Sequence, residues 1–383
     1  TIALREVLQV RFSEIYLKGL NRPYFLRMLV ERVKQAVRGV NGHVWLSDSR
    51  VYVSDATDQD EAIRRVCKVF GVHSVCRALE LDKADYPALR DAAVDLMRNV
   101  SGTFKVEARR SDKRYGMDSP AMNADIGGYV LEHLPQLQVD VRNPQTVLSV
   151  EIRDHAYLYT QPILAVGGMP VGTNGRATFL LPGGIDSPVA GWMIAKRGVE
   201  MSAVHFQSPP YTSERARDKV IQLGRLLSES LCGLRLHLIP FTEIQMQIHQ
   251  QCHQDYTTLI MRRYMMRLAN KVAYAERAQA LVTGESIGQV ASQTMQALQC
   301  TDIIADVPVF RPLIGFDKQE IINLAEKIGT FETSSLPYED CCTVFTPRHP
   351  ATKPRMDIIL EGEAKLDTDA LLAQAMEGEE ILE

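Results

Sequence analysis

A chain of 383 residues with 45% hydrophobic and 23% charged residues has the composition of a globular protein and the length of two or three domains. No run of eighteen apolar residues occurs, which excludes a hydrophobic spanning helix, and Arg5, Glu6 and Arg11 break the N-terminal TIALREVLQVRF too early for a secretory signal. The net charge of −4 is uneven: residues 355–383 carry −7 and leave +3 on the body, a balance that allows nucleic-acid binding without showing it.

The first strand candidate is Val7–Phe12, followed by a helix from Pro23 to Val37 with apolar positions at Phe25, Leu29, Val33 and Val37. Two short strands, HVWLS and RVYVSD, a helix from Glu61 to Phe70 and a strand from Val72 to Leu79 complete a β-α-β-β-α-β order, that of a split ferredoxin-like unit. A helix from Tyr86 to about Asn99, the strand TFKVEARRS, the basic turn SDKRYGMDSP, a helix from Ala121 to His133 and the strands TVLSVEIRD and AYLYT follow. The glycine-rich, aperiodic VGGMPVGTNGRA reads as a linker and places a boundary near residue 170.

Beyond it, apolar strands alternate with helices: TFLL, a helix after Ser187, MSAVHF, a helix from Thr212 to Glu229, LRLHLIPF, a long helix from Thr257 to Arg277, QALVTG and a helix from Lys318 to Ile328. That order predicts a doubly wound α/β domain with a mostly parallel sheet. The seven cysteines, Cys67, Cys76, Cys232, Cys252, Cys300, Cys341 and Cys342, are scattered and form no C-x-x-C pair, against a disulfide framework or a zinc knuckle. Most read as buried thiols, and only the adjacent Cys341-Cys342 pair asks for a function. The cytoplasm is the expected compartment, with no membrane partner.

Between TFLL and its helix lies PGGIDS, where Gly183, Gly184 and Ser187 would let backbone N–H groups cradle an anion at a helix N-terminus. Neither a Walker loop nor a Rossmann fingerprint is present. The spacing Gly-Gly-x-Asp-Ser instead resembles the PP-loop of ATP pyrophosphatases, which cleave ATP between the α and β phosphates and adenylate a carbonyl oxygen. Further blocks, AVHFQSPPYTSERA, MRRYMMR, TGESIGQVASQT, FRPLIGFDKQEI and LPYEDCCTVFTPRHPATKP, are similar to those of the tRNA 4-thiouridine synthase (tRNA sulfurtransferase) family. RFSEIYLKGLNRPYF resembles that family's ferredoxin-like segment and TFKVEARRSDKRYGMDSP its THUMP domain, so the matches run in family order from about residue 5 to 355. The rhodanese domain of some members has no counterpart after the PP-loop domain, and a thiamine-biosynthetic role belongs to part of the family.

The resemblance implies an N-terminal ferredoxin-like segment over 1–55, a THUMP RNA-binding domain over 56–165, a PP-loop adenylating domain over 174–355 and an acidic C-terminal tail over 356–383. ATP would lie against Leu180 and Leu181, with His205 and Phe206 at adenine, Arg262 facing a phosphate, Gly284 allowing close approach and Gln293 supplying an amide. Asp186 would hold Mg2+ at the leaving pyrophosphate. Adenylation makes the uracil O4 a leaving group; sulfur then arrives on a cysteine, which the family pattern places at Cys342 beside Cys341, and Arg348, His349 and Lys353 would lower a thiol pKa if they fold close to it.

In EARRSDKRYG, Arg109, Arg110, Lys113 and Arg114 interleave with Tyr115, a pattern suited to phosphate contact and stacking, and Lys18 and Arg22 would extend that surface. The implied partners are tRNA and a cysteine desulfurase, with a homodimer allowed. One position departs from the family: Pro182 stands where it has serine. Proline removes a hydroxyl and an N–H, a loss of about 1.5–3 kcal/mol at a charged phosphate, or one to two decades in affinity or rate. Two rival readings remain, another PP-loop adenylating enzyme and a non-catalytic tRNA-binding protein with a degenerate loop.

Overall fold

The computed structural model describes residues 4–383, so the first three residues of the 1–55 segment lie outside it. The chain divides into two units, residues 1–169 and 170–383.

The N-terminal unit opens with β1 (Arg5–Phe12), α1 (Arg22–Val37), β2 (His43–Ser47), β3 (Arg50–Ser54), α2 (Gln59–Cys67) and β4 (Val72–Leu81). Strand order β2-β3-β1-β4, antiparallel throughout, is the expected split ferredoxin-like arrangement. It continues through α3 (Tyr86–Met97), β5 (Gly102–Arg110), α4 (Ser119–His133), β6 (Leu137–Val139), β7 (Thr146–Ile152), β8 (Ala156–Tyr159) and β9 (Pro162–Leu164). All nine strands form one sheet, because β4 pairs with β1 on one side and with β8 and β9 on the other. The boundary expected at residue 55 is therefore misplaced: the ferredoxin-like half needs α2 and β4 to bury its apolar face, through Ile63, Val66 and Val75. Buried Glu151 ties the halves of the sheet together. It takes Arg153 at 2.9 Å, Tyr159 at 2.8 Å, Gln9 at 3.2 Å and Arg11 at 3.3 Å. Burial pushes its carboxyl up, yet Arg50, Tyr159 and Arg153 outweigh that and hold it at about 2.

The C-terminal unit runs β10 (Arg176–Leu180), α5 (Asp186–Ala195), β11 (Glu200–Gln207), α6 (Glu214–Leu231), β12 (Arg235–Pro240), α7 (Thr242–Gln251), α8 (Thr257–Glu276) and β13 (Ala280–Val282). After these come α9 (Met295–Asp302), β14 (Val309–Phe310), α10 (Lys318–Ile328), α11 (Phe331–Ser334), α12 (Met356–Glu363), α13 (Thr368–Glu377) and β15 (Glu380–Leu382). Near-continuous apolar strands, as in MSAVHF, are what a parallel sheet covered on both faces requires. Order β14-β13-β10-β11-β12-β15 is parallel except for β15. β10 sits between β11 and β13, so its C-terminal end is the point where successive connections diverge and an open crevice forms.

Residues 356–383 are not a tail. β15 pairs antiparallel with β12, and Leu371, Leu372 and Ala375 of α13 join the core beneath α7 and α8. Acidic residues that suggested a solvated segment have partners distant in sequence. Glu363 accepts from Arg263 at 2.7 Å and Arg267 at 2.8 Å, and Glu379 lies 2.5 Å from buried His237.

Candidate active site

A cleft of about 830 Å3, its mouth included, opens at the C-terminal end of β10. One wall is apolar, built from Leu180, Leu181, Val204, Phe206, Met265 and Met266; the other carries Asp186, Ser187, Arg262, Glu285 and Gln293. Eleven of the residues expected around nucleotide and sulfur thus meet in one space: Leu180, Leu181, Gly184, Asp186, Ser187, Phe206, Arg262, Gly284, Gln293, Cys341 and Cys342.

The loop makes its turn through Gly183, whose φ of +102° only glycine adopts without strain. Gly284 allows a close approach of backbone to backbone. A Cβ there would stand 2.8 Å from the Ser187 nitrogen and 2.9 Å from the Asp186 carbonyl carbon, so the TGES segment packs against the first turn of α5. Asp186 begins that helix and is fully engaged: Lys318 Nζ lies 2.7 Å from one carboxylate oxygen and Gln289 Nε2 donates to the other at 2.8 Å. Glu285 is buried between Arg262 and Arg311. Burial alone would raise its carboxyl, but the two guanidiniums prevail and hold it below the usual range. The pairing orients Arg262 along the cleft wall. Sequence reasoning misses Lys318, Gln289, Glu285 and Arg311, since their partners lie 23 to 132 residues away.

The cysteine pair forms a short 3-10 turn, Cys341–Thr343, held from below by Gln245, which donates to the carbonyls of Cys341 at 2.8 Å and Val344 at 3.1 Å. Asp340 caps it, accepting from the Cys342 N–H at 2.5 Å. Both sulfurs and the Asp340 carboxylate lie within 4.8 Å of one another. Cys341 is buried and Cys342 half-buried. A hydrogen bond with Cys342, then burial, then the charge of Asp340 push the Cys341 thiol well up.

Strand alternation splits the expected His205-Phe206 pair. Phe206 faces the cleft, whereas the His205 imidazole points to the other side of the sheet and lines a second cavity, together with Gly183. His205 Nδ1 lies 2.9 Å from the Leu181 carbonyl oxygen, and burial lowers its pKa.

In the N-terminal unit, Arg109, Lys113 and Arg114 are exposed at the end of β5 and in the following turn. Arg109 pairs with Glu107 at 2.5 Å and Arg114 with Asp112 at 3.1 Å. Arg110 differs, because it donates to the carbonyls of Lys113 and Tyr115 at 2.9 and 3.0 Å and so shapes the turn. Lys18 lies 5.0 Å from the Phe25 ring and Arg22 4.5 Å from that of Tyr16.

A parallel sheet with a glycine turn at its divergence point, an apolar wall on one side and paired charges on the other defines a PP-loop nucleotide-binding domain. Residues 172–368 match the family model described as "Thiamine biosynthesis protein (ThiI)", 7–76 the ThiI ferredoxin-like domain and 81–161 the THUMP domain. The chain belongs to the ThiI family. It is 49% identical to a probable tRNA sulfurtransferase of Acetivibrio thermocellus over 99% of both chains. It is 50% identical to another of Caldanaerobacter subterraneus, over 95% of this chain and 96% of that one. A crystal structure of a 4-thiouridine synthetase–RNA complex with bound ATP superposes with a TM-score of 0.91 at 37% identity, covering 99% of this chain and all of that one. The fold is shared with PH1313 from Pyrococcus horikoshii, TM-score 0.67 at 24% identity, over 85% of this chain and all of that one.

Proposed function

We propose that this chain uses ATP to adenylate O4 of a uridine in tRNA and replaces the adenylate with sulfur carried on Cys342, giving 4-thiouridine. The observation that carries the reading is the meeting of the glycine loop, Asp186 and the Cys342 thiol in one cleft, in a chain that its tRNA sulfurtransferase relatives match end to end.

In this reading adenine lies on the apolar wall against Phe206 and Leu180. The amides of Gly184 and Ser187 and the dipole of α5 meet the phosphates. Arg262 and Lys318 add fixed positive charge, and Gln293 supplies an amide. Mg2+ fits as an ion brought by the phosphates, since a hard cation takes few protein ligands beside phosphate oxygens and Asp186 is the carboxylate at the head of α5. When bound it would offset charge on the departing pyrophosphate. Cys342, the more exposed thiol, bears sulfur as a persulfide delivered by a cysteine desulfurase: the outer sulfur attacks C4, AMP leaves with the C4–O bond's electron pair, and a second thiol, supplied as a thiol reductant, cleaves the remaining Cys342 S–S bond so that the sulfur stays on C4. Arg109, Lys113 and Arg114 contact tRNA phosphates, with Lys18 and Arg22 extending the surface. The cytoplasm is the assigned compartment, and a homodimer is the assembly that sizing would test.

Reconstitution with ATP, tRNA, a cysteine desulfurase and cysteine should yield 4-thiouridine by nucleoside mass spectrometry. Asp186→Ala should lose pyrophosphate release and keep tRNA binding. Formation of 4-thiouridine without ATP would overturn the mechanism.

A further inference from the structure

The second cavity lies across the loop from the nucleotide cleft, and Pro182 is a wall of both. It encloses about 590 Å3 of space, open mouth included, and is lined by buried His205 and Lys219 with Gln207, Arg217 and Asp340. The partner of His205 Nδ1 is a carbonyl, which only accepts, so Nδ1 carries the proton and Nε2 presents a lone pair. Nε2 has no hydrogen-bond partner among the described residues, although His205 is 4% exposed. An acceptor that faces a cavity without a protein partner is open to a donor from a ligand. Lys219, in the same lining, gives one of its three hydrogens to the Leu336 carbonyl at 2.9 Å and keeps others to offer, and the Gln207 amide adds further donors.

An acceptor in a cavity that also offers donors suits uracil, whose N3–H stands between the acceptors O2 and O4. Cytosine presents a lone pair at N3 and would meet His205 acceptor to acceptor. We propose that this cavity is the subsite for the target uracil, flipped out of the tRNA, and that His205 Nε2 accepts its N3–H and takes the proton as O4 is adenylated. The proposal rests on the adenylation reading above. In the step, O4 bonds to the α-phosphorus and the bond from that phosphorus to the bridging oxygen breaks, releasing pyrophosphate with its electron pair. The C4–N3 bond becomes double and the N3 proton passes to Nε2. The placement also serves the next step. Asp340 lines this cavity while Cys341 and Cys342 line the cleft, so the cysteine turn spans both spaces and meets C4 at their shared wall.

His205→Ala, and Glu214→Trp at the exposed mouth of the cavity, would be compared with the parent protein. The measurements are ATP affinity without tRNA, tRNA affinity, and pyrophosphate released in the first turnover with both. Expected are affinities within about threefold of the parent, and release lowered at least about 100-fold in both variants, the usual scale of a lost general base. Added imidazole should restore part of the release in His205→Ala and none in Glu214→Trp, a rescue that a merely structural histidine would not give. Parental release in both variants overturns the proposal, and loss of 4-thiouridine alongside it assigns the cavity to sulfur delivery instead. Parental release in Glu214→Trp with an unrescued His205→Ala also overturns it. A parent protein that releases no pyrophosphate with tRNA overturns the adenylation reading and the subsite with it.

Discussion

Replacing Glu363 by alanine tests the finding that the acidic C-terminal segment is part of the nucleotide domain. The Glu363 side chain is 8% exposed and Arg263 3%, and their contact at 2.7 Å is joined by Arg267. Removing the carboxylate strands a buried guanidinium, which costs about 3–5 kcal/mol. In a unit of this size each kcal/mol moves Tm by about 2–4 °C, so a fall on the order of 10 °C is expected. The two tryptophans fall one in each unit, Trp45 and Trp192, so a Trp45→Phe background leaves buried Trp192 as the reporter of this unit alone. Burial raises the Glu363 carboxyl, but Arg263 and Arg267 outweigh it and the folded pKa is depressed. The stabilisation is therefore present above the unfolded carboxylate value of about 4.3 and is lost as pH falls through the lower folded value. The gap between parent and variant should narrow correspondingly in acid. A Tm change under about 2 °C at neutral pH, or a gap that does not close in acid, would refute the reasoning.

Pro182→Ser restores a donor beside the phosphates and should raise ATP affinity or first-turnover rate by up to about one to two decades, read by titration and pyrophosphate release; no gain would mean that the loop is adapted to proline. Cys342→Ser should bind ATP and tRNA normally, release pyrophosphate once and form no 4-thiouridine with a desulfurase, while high free sulfide should partly rescue it; full activity with the desulfurase would remove Cys342 from the carrier role. Removing charge at Arg109, Lys113 and Arg114 should lower the salt slope of tRNA binding by roughly 0.7–0.9 for each phosphate no longer neutralised and leave ATP binding unchanged, whereas an unaltered slope would return the turn to a solvated role.

What the sequence shows well is whatever local pattern determines. The alternating β-α order after residue 176, the glycine turn after β10 and the split ferredoxin-like order all follow from period and turn chemistry, and the strands pair as that order requires. What it hides is pairing at long range. Residues 356–383 resemble a solvated acidic tail because nothing local says that Glu363 meets arginines about 100 residues earlier or that Glu379 meets His237. Lys318 reads as the first residue of a capped surface helix, yet it reaches Asp186 across 132 residues. The His205 side chain goes astray for a different reason. The alternation that turns it away from Phe206 is legible in MSAVHF, and treating the pair as a single nucleotide contact overlooks it.

The cysteine pair illustrates the same division. In sequence the two thiols are equivalent neighbours; the fold makes them unequal by sinking Cys341 beneath the turn and leaving Cys342 at the cleft. A thiol whose pKa is pushed well up stays protonated at neutral pH and is a poor nucleophile, so Cys341 is ill suited to receive sulfur or to attack a persulfide on its neighbour. Its hydrogen bond with Cys342 suits the opposite role, that of a donor steadying negative charge on the sulfur it faces. A relay through a Cys341–Cys342 disulfide would need Cys341 as a thiolate, the form its burial and the charge of Asp340 both disfavour. The asymmetry accords with the proposed carrier role of Cys342, with Cys341 positioning it, and predicts that Cys341→Ser, which keeps a donor in place, is the milder of the two substitutions in 4-thiouridine yield.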